Sequence, residues 1–141
     1  GRPFKLYKFR TLAVEADKEL IWGQAEQKSP TRIGRFLRRS GLDELPQIIN
    51  ILKGDMSLVG PRPERVEFVT LFSEKIPHYM QRHMVPPGVT GWAQINGWRG
   101  DTPLAPRIEH DLWYIAHWSL ALDVGILLKT IPFILKTLLS K

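Results

Sequence analysis

The chain has 141 residues, 43% hydrophobic and 24% charged, with no cysteine and a net charge of +6. That size suits one domain with a modest core, and the composition is not that of a disordered chain. The lack of cysteine excludes disulfides, thiolate chemistry and cysteine-based zinc sites, while the positive charge points to a polyanionic partner: nucleic acid, anionic lipid or a phosphorylated substrate.

There is no initiator Met and no signal-like start, and Gly1-Arg2-Pro3 reads as the interior of a longer protein. No stretch approaches about 18 uninterrupted apolar residues, so no spanning helix is expected. Residues 4–11 alternate aromatic and β-compatible residues with charges, which predicts a strand carrying Lys8 and Arg10 on one face. A solvated strand face is the plainer account of those two cations. Residues 13–27 predict a helix with Ala13, Leu20, Ile21 and Ala25 as its apolar residues, weakened by Gly23. Ser29-Pro30-Thr31 reads as a turn and helix start. The helix that follows, 31–39, places Ile33, Phe36 and Leu37 on one face and Arg32, Arg35, Arg38 and Arg39 over much of the rest, and Gly41 suits its stop. Guanidinium forks suit phosphate, although a solvated basic face would look the same.

The arginines lead straight to Asp43 and Glu44. Pro46 suits a first helical turn, Ile48, Ile49, Ile51 and Leu52 supply an apolar face, and Lys53-Gly54 supplies the stop. The two carboxylates would then face the positive end of a helix dipole. Capping alone would account for them, and the surrounding cations argue for more. Met56 to Val59 predict a short buried strand. Pro61 and Pro63 stiffen the backbone on both sides of Arg62, which preorganises an anion contact.

Residues 64–84 predict a long helix with Val66, Val69, Phe72, Ile76, Met80 and Met84 as a core face and Pro77 as a kink or break. Residues 89–98 read as a short strand between glycine turns. Its Trp92, Gln94, Asn96 and Trp98 suit a stacking and hydrogen-bonding pocket, or plain packing. Residues 107–118 predict an aromatic-rich helix. His78, His83, His110 and His117 lack metal-ligand spacing and read as structural. Residues 119–140 carry a polar stripe (Asp123, Lys129, Thr130, Lys136, Thr137) on an otherwise apolar helix interrupted by Pro132. That pattern fits an interfacial membrane helix or the core helix of a soluble domain.

Four stretches, in order, carry a resemblance: Tyr7-Lys8-Phe9-Arg10-Thr11, Leu42-Asp43-Glu44-Leu45-Pro46-Gln47, Met56-Ser57-Leu58-Val59-Gly60-Pro61-Arg62-Pro63-Glu64 and Pro87-Gly88-Val89-Thr90-Gly91-Trp92-Ala93-Gln94. Together they resemble the bacterial sugar transferase family, the monotopic polyprenyl-phosphate phosphoglycosyl transferases. Gly97-Trp98-Arg99-Gly100-Asp101-Thr102 and Trp118-Ser119-Leu120 resemble the branch that starts exopolysaccharide, O-antigen or capsule repeat units. The likeness covers essentially the whole chain. It implies one catalytic domain over 1–141: a mixed α/β, compact, helix-rich fold with a small sheet and amphipathic helices at the membrane interface. It also places a re-entrant membrane helix upstream of the segment that begins here.

The chemistry the resemblance implies is transfer of a sugar-1-phosphate from a UDP-sugar to undecaprenyl phosphate. Asp43 would be the nucleophile that carries the phosphosugar while UMP leaves, and Glu44 would organise the site or accept a proton. Mg²⁺ is the implied cofactor, with Asp43 as its best ligand. Arg62 is the implied phosphate ligand, followed by Arg38 and by Lys8 or Arg10. The implied partners are the donor, the lipid acceptor and membrane lipid, with no nucleic acid; a homo-oligomer is left open. The implied location is the bacterial inner membrane with the site on its cytoplasmic face. Leu12, where Met is usual, and Gly41, where a polar residue is common, depart from the family pattern without touching these groups. The sugar is not legible. Two readings of other classes compete. A nucleic-acid-binding module would show steep salt dependence, but no reader motif is present. A catalytically inert membrane-associated scaffold is opposed by the intact Asp43-Glu44 pair and Arg62.

Overall fold

The computed structural model describes residues 1–12, 30–100 and 102–139, apart from the side chains of Phe133 and 136–139. The helix expected over 13–27 lies outside the described residues. Helix α1, Arg32–Ser40, starts where Thr31 Oγ1 accepts the Gly34 N–H at 3.0 Å. It ends at Gly41, whose φ of 70° lets its N–H turn back to the Arg38 carbonyl. Buried Gly34 lies directly on the Thr11 backbone, which docks α1 against the N-terminal segment.

That segment is extended but is not the expected strand. The Tyr7 N–H donates to Asn50 Oδ1 (3.1 Å), the Asn50 amide donates to the Lys5 carbonyl (2.7 Å), and the Phe9 N–H donates to the Asp43 carbonyl (2.9 Å). Its backbone is satisfied by one side chain and one turn, and a sheet ladder is replaced by a single bridge between Leu12 and Pro30.

The same bonds explain a second departure. The carboxylates lie in a 3-10 turn, Leu42–Glu44, ahead of the short helix α2, Gln47–Leu52, rather than in a helix's first turn. The face of α2 is inverted: Gln47 and Asn50 are buried, while Ile48, Ile49 and Leu52 expose 52%, 46% and 83%. Asn50 must face inward because it holds the extended segment.

Strands β1, Ser57–Val59, and β2, Gly88–Thr90, form a two-stranded parallel sheet pairing Ser57 with Gly88 and Val59 with Thr90. At its end the backbones of Gly60, Gly88 and Gly91 meet so closely that a Cβ on any of them would strike backbone atoms. The strand expected over 89–98 ends at Thr90 and gives way to helix α4, Trp92–Ile95. There Gln94 Nε2 donates to the Val89 carbonyl and Asn96 Nδ2 to the Trp92 carbonyl, while Trp92 stacks on Trp113 at 4.7 Å. Those groups serve local packing.

The long helix expected over 64–84 is divided by Pro77. Helix α3, Val66–Lys75, stops at Ile76, which adopts extended angles before the proline, and a 3-10 turn, Tyr79–His83, follows. Phe72 is buried as expected, but Val66 at the start of α3 and Met80 and Met84 beyond the break are exposed.

Helix α5, Leu104–Ala116, joins two apolar clusters. Its Tyr114 packs with Val59 and Ile126; its Ile108 packs with Phe72 and Tyr79. Helix α6, Leu120–Leu139, turns back from α5 at a corner where Asp123 accepts from the Tyr114 hydroxyl (2.8 Å) and Trp118 Nε1 (3.2 Å). It continues through Pro132. Leu120, Val124, Leu128, Ile131 and Leu135 form an exposed stripe at helical spacing along it. Among the described residues no helix is long and apolar enough to cross a membrane. The architecture is thus helix-rich with a small sheet, as expected.

Gly88 sits where β2 meets the turn after β1, so Gly88→Ala is expected to lower unfolding free energy by about 1–3 kcal/mol through overpacking, measured by urea denaturation.

Candidate active site

Two distant stretches and the helix just before it converge on the 3-10 turn at Leu42–Glu44. The extended N-terminal segment brings Lys8, α1 brings Arg38, and the proline-flanked loop after β1 brings Arg62. Lys8 Nζ lies 3.0 Å from Glu44 Oε1, and Arg62 Nη2 lies 2.7 Å from the same oxygen. No ion pair holds the Asp43 carboxylate among the described residues. Arg38 donates through Nε to Thr11 Oγ1 at 2.8 Å, and its charge also acts on Asp43. Arg10 is exposed and pairs with neither carboxylate. Of the residues singled out in the sequence, Asp43, Glu44, Lys8, Arg38 and Arg62 are therefore brought together, and Arg10 stays outside.

The two adjacent carboxylates have opposite electrostatic fates. Burial raises the pKa of Asp43 above the ordinary carboxylate value, and neighbouring Glu44 adds to this; Lys8, the Asp43 backbone N–H and Arg38 pull the other way without prevailing. Burial also opposes the Glu44 charge, but Arg62 and Lys8 outweigh it and hold Glu44 at about 2. Neighbouring acids pushed apart in this way are suited to different tasks. Glu44 stays an anion that anchors cations, and Asp43 keeps a more basic carboxylate that no ion pair engages among the described residues.

That difference bears on metal binding. Among the described residues, no group of three or more His, Cys, Asp or Glu side chains could hold an ion. A hard divalent ion at Asp43 would have to draw its other oxygens from substrate phosphates and water. Mg²⁺ commonly binds in this way, so the residues present fit it.

Behind Arg62 lies a set of charges that the sequence reading passed over. Arg82, in the Tyr79–His83 turn, and Asp111, on α5, are 1% and 2% exposed. Arg82 Nε and Nη2 both donate to Asp111 Oδ2, at 3.0 and 2.7 Å. Arg82 Nη2 also donates to the Arg62 carbonyl at 2.9 Å. One turn earlier on α5, buried Arg107 lies 3.9 Å from Glu64 and donates to the Gly100 carbonyl at 2.6 Å. The signal was available: Arg107 and Asp111 stand four apart beside the apolar positions Ile108 and Tyr114, which places two charges on the buried side of the helix.

The bacterial sugar transferase family profile matches residues 1–137. A UDP-glucose:undecaprenyl-phosphate glucose-1-phosphate transferase of Xanthomonas campestris pv. campestris is 52% identical over 136 residues, covering 92% of this chain and 28% of that protein. The protein of the same name from Escherichia coli strain K12 is 48% identical, covering 93% of this chain and 29% of its own length. A UDP-N-acetylgalactosamine-undecaprenyl-phosphate N-acetylgalactosaminephosphotransferase of Aeromonas hydrophila is 47% identical, covering 96% of this chain and 33% of that protein. The chain thus spans about a third or less of the length of these curated relatives.

The Glu44 ion pairs predict a specific acid sensitivity. Glu44 has a lower pKa folded (about 2) than its ordinary 4.5, so its contribution is complete above 4.5 and is lost as pH falls toward 2. The effect is at most about 3 kcal/mol and is reduced by solvent around Lys8. Asp43, shifted the other way, favours folding as pH falls and does so with or without Glu44. In metal-free buffer, urea unfolding of Glu44→Gln should show a smaller stability loss between pH 5 and 2.5 than the unaltered chain.

Proposed function

The chain belongs to the bacterial sugar transferase family, and from that premise we propose that it moves a sugar-1-phosphate from a UDP-sugar to undecaprenyl phosphate. The observation that carries this reading is the divided dyad: Glu44 neutralised by Lys8 and Arg62, beside an Asp43 carboxylate that no ion pair holds among the described residues. Support for the donor and acceptor comes from the names of the relatives, each of which joins a UDP-sugar to undecaprenyl phosphate.

The proposed steps follow from what these side chains can do. An Asp43 carboxylate oxygen attacks the phosphorus next to the sugar, and the bond from that phosphorus to the oxygen of UMP breaks. The result is a phosphosugar held on Asp43 and free UMP. A phosphate oxygen of the lipid then attacks the same phosphorus, the Asp43 oxygen–phosphorus bond breaks, and the sugar leaves on a lipid diphosphate. Splitting the exchange into two displacements keeps each one simple. The raised pKa of Asp43 suits a nucleophile, since a more basic carboxylate is a better one.

An anionic nucleophile approaching an anionic diphosphate is repelled, so the cations around it matter. Arg62 offers a planar fork to the phosphates, and Lys8 and Arg38 add positive field. Glu44 holds Arg62 and Lys8 at the right place before substrate arrives. Bound at Asp43, Mg²⁺ would supply further neutralisation of the diphosphate.

The acceptor is a lipid, and the exposed apolar surface agrees with a site at a membrane. The α6 stripe, exposed Trp118, and Ile33 and Phe36 on the arginine-bearing helix α1 combine apolar and cationic groups as an interfacial surface requires. We place the protein at the bacterial inner membrane with Asp43 on the cytoplasmic side, where it would start exopolysaccharide, O-antigen or capsule repeat units.

The test is UMP release from a panel of UDP-sugars with undecaprenyl phosphate and Mg²⁺ in detergent. UDP-glucose and UDP-N-acetylgalactosamine come first. Expected are release that is abolished by chelation and a drop of roughly a thousandfold or more in Asp43→Asn. Equal release from Asp43→Asn would remove Asp43 from the nucleophile's role. Silence across the whole panel from a folded protein would favour the inert scaffold.

A further inference from the structure

The reactive face presents Arg62; the Gly88 N–H ties the neighbouring Pro61 carbonyl to β2 at 2.9 Å, and the Arg62 carbonyl has a contact of its own. That contact comes from the buried side. Arg82 Nη2 donates to the Arg62 carbonyl at 2.9 Å while Nε and Nη2 grip Asp111 Oδ2, and Nη1 reaches the Tyr79 hydroxyl at 3.4 Å. Both charged partners are almost completely out of water.

A pair this deep is poorly explained by stability alone. Taking both charges out of water is costly, and apolar residues of similar volume often serve the fold as well or better. What apolar residues cannot supply is a rigid donor aimed at one carbonyl. Asp111 holds the guanidinium plane, the plane holds the Arg62 carbonyl, and Pro61 and Pro63 leave the loop little freedom to relay the position anywhere but into the Arg62 side chain. Arg107, one turn before Asp111 on the same helix, steadies the far end of the loop through Glu64.

We propose that Arg82 and Asp111 are positioning residues for Arg62: from inside the fold they set the point from which its guanidinium meets Glu44 and the donor phosphates. This deepens the reading above and rests on it for the identity of the phosphates, but not for the mechanical claim about Arg62.

The experiment uses the full chain and its double variant Arg82→Met/Asp111→Leu, which removes both charges together and leaves none unpaired. Two readouts are taken. The first is ¹⁵N relaxation of the Arg62 Nε–H, assigned by its loss in Arg62→Lys, which needs no activity. The second is kcat/KM for UMP release, in the natural background and in Arg62→Ala.

Positioning predicts a folded double variant with a mobile Arg62 Nε–H and kcat/KM lower by roughly ten- to a hundredfold. It also predicts no further loss when the double variant is added to Arg62→Ala, because the two act through one group. An Arg62 signal as rigid as in the unaltered chain, or losses that multiply in the Arg62→Ala background, would overturn it. If the double variant does not fold, Arg82→Lys takes its place: it keeps a charge beside Asp111 but loses the Nη2 donation to the Arg62 carbonyl, and the same readouts decide. If Arg82→Lys also fails to fold, the pair is purely structural and the proposal falls. Absence of UMP release from the unaltered chain would sink the donor reading, while the Arg62 signal would still decide the positioning claim.

Discussion

The contact on which the site depends is the 2.7 Å ion pair between Arg62 and Glu44. It joins two segments that are separate in sequence: a 3-10 turn following α1 and a loop following β1. On one side Glu44 also takes Lys8, which ties down the extended N-terminal segment. On the other, the Arg62 backbone is held by Arg82 and through it by α5. An exposed ion pair would contribute little to such a junction. This one is partly shielded, and shielding makes both its attraction and the cost of breaking it larger.

The fold gives that junction a firm base through tight backbone contact. Three glycines allow the turn after β1 to lie directly against β2, so the Pro61-Arg62-Pro63 loop leaves the sheet at a defined angle. Helix α5 passes behind it and belongs to both apolar clusters, and so the charges it carries are as fixed as the core itself. The small sheet is therefore less a stabilising element than a bracket for one arginine.

Much of this was legible in the residues. Thr31 and Gly41 mark the ends of α1 because caps are local chemistry, and Pro77 divides a helix because its ring and missing N–H act on the preceding turn. Asp43 and Glu44 stood out as paired acids among cations and Arg62 as a proline-stiffened anion contact, while the resemblance to the sugar transferase family, not the residue pattern, joined them into one site. What could not be read was any feature decided by a distant partner. Asn50 turns α2 inside out because it serves a backbone more than 40 residues away. The expected strand over 4–11 fails for the same reason, its hydrogen bonds going to Asn50 and Asp43. Likewise, nothing local marks Arg82: its task lies at the Arg62 carbonyl, 20 residues away.

The unequal dyad also bears on how one carboxylate can act in both halves of the proposed exchange. A group that attacks phosphorus and is later expelled from it must be neither too weak a base to attack nor too strong a base to leave. A carboxylate already satisfies the second demand, and burial beside another acid raises its basicity toward the first. Glu44 contributes to that rise by remaining charged, which it does because Arg62 and Lys8 hold it so. Those cations thus act on Asp43 in two opposed ways. Directly, Lys8 lowers its basicity; indirectly, by keeping Glu44 ionised, Lys8 and Arg62 raise it.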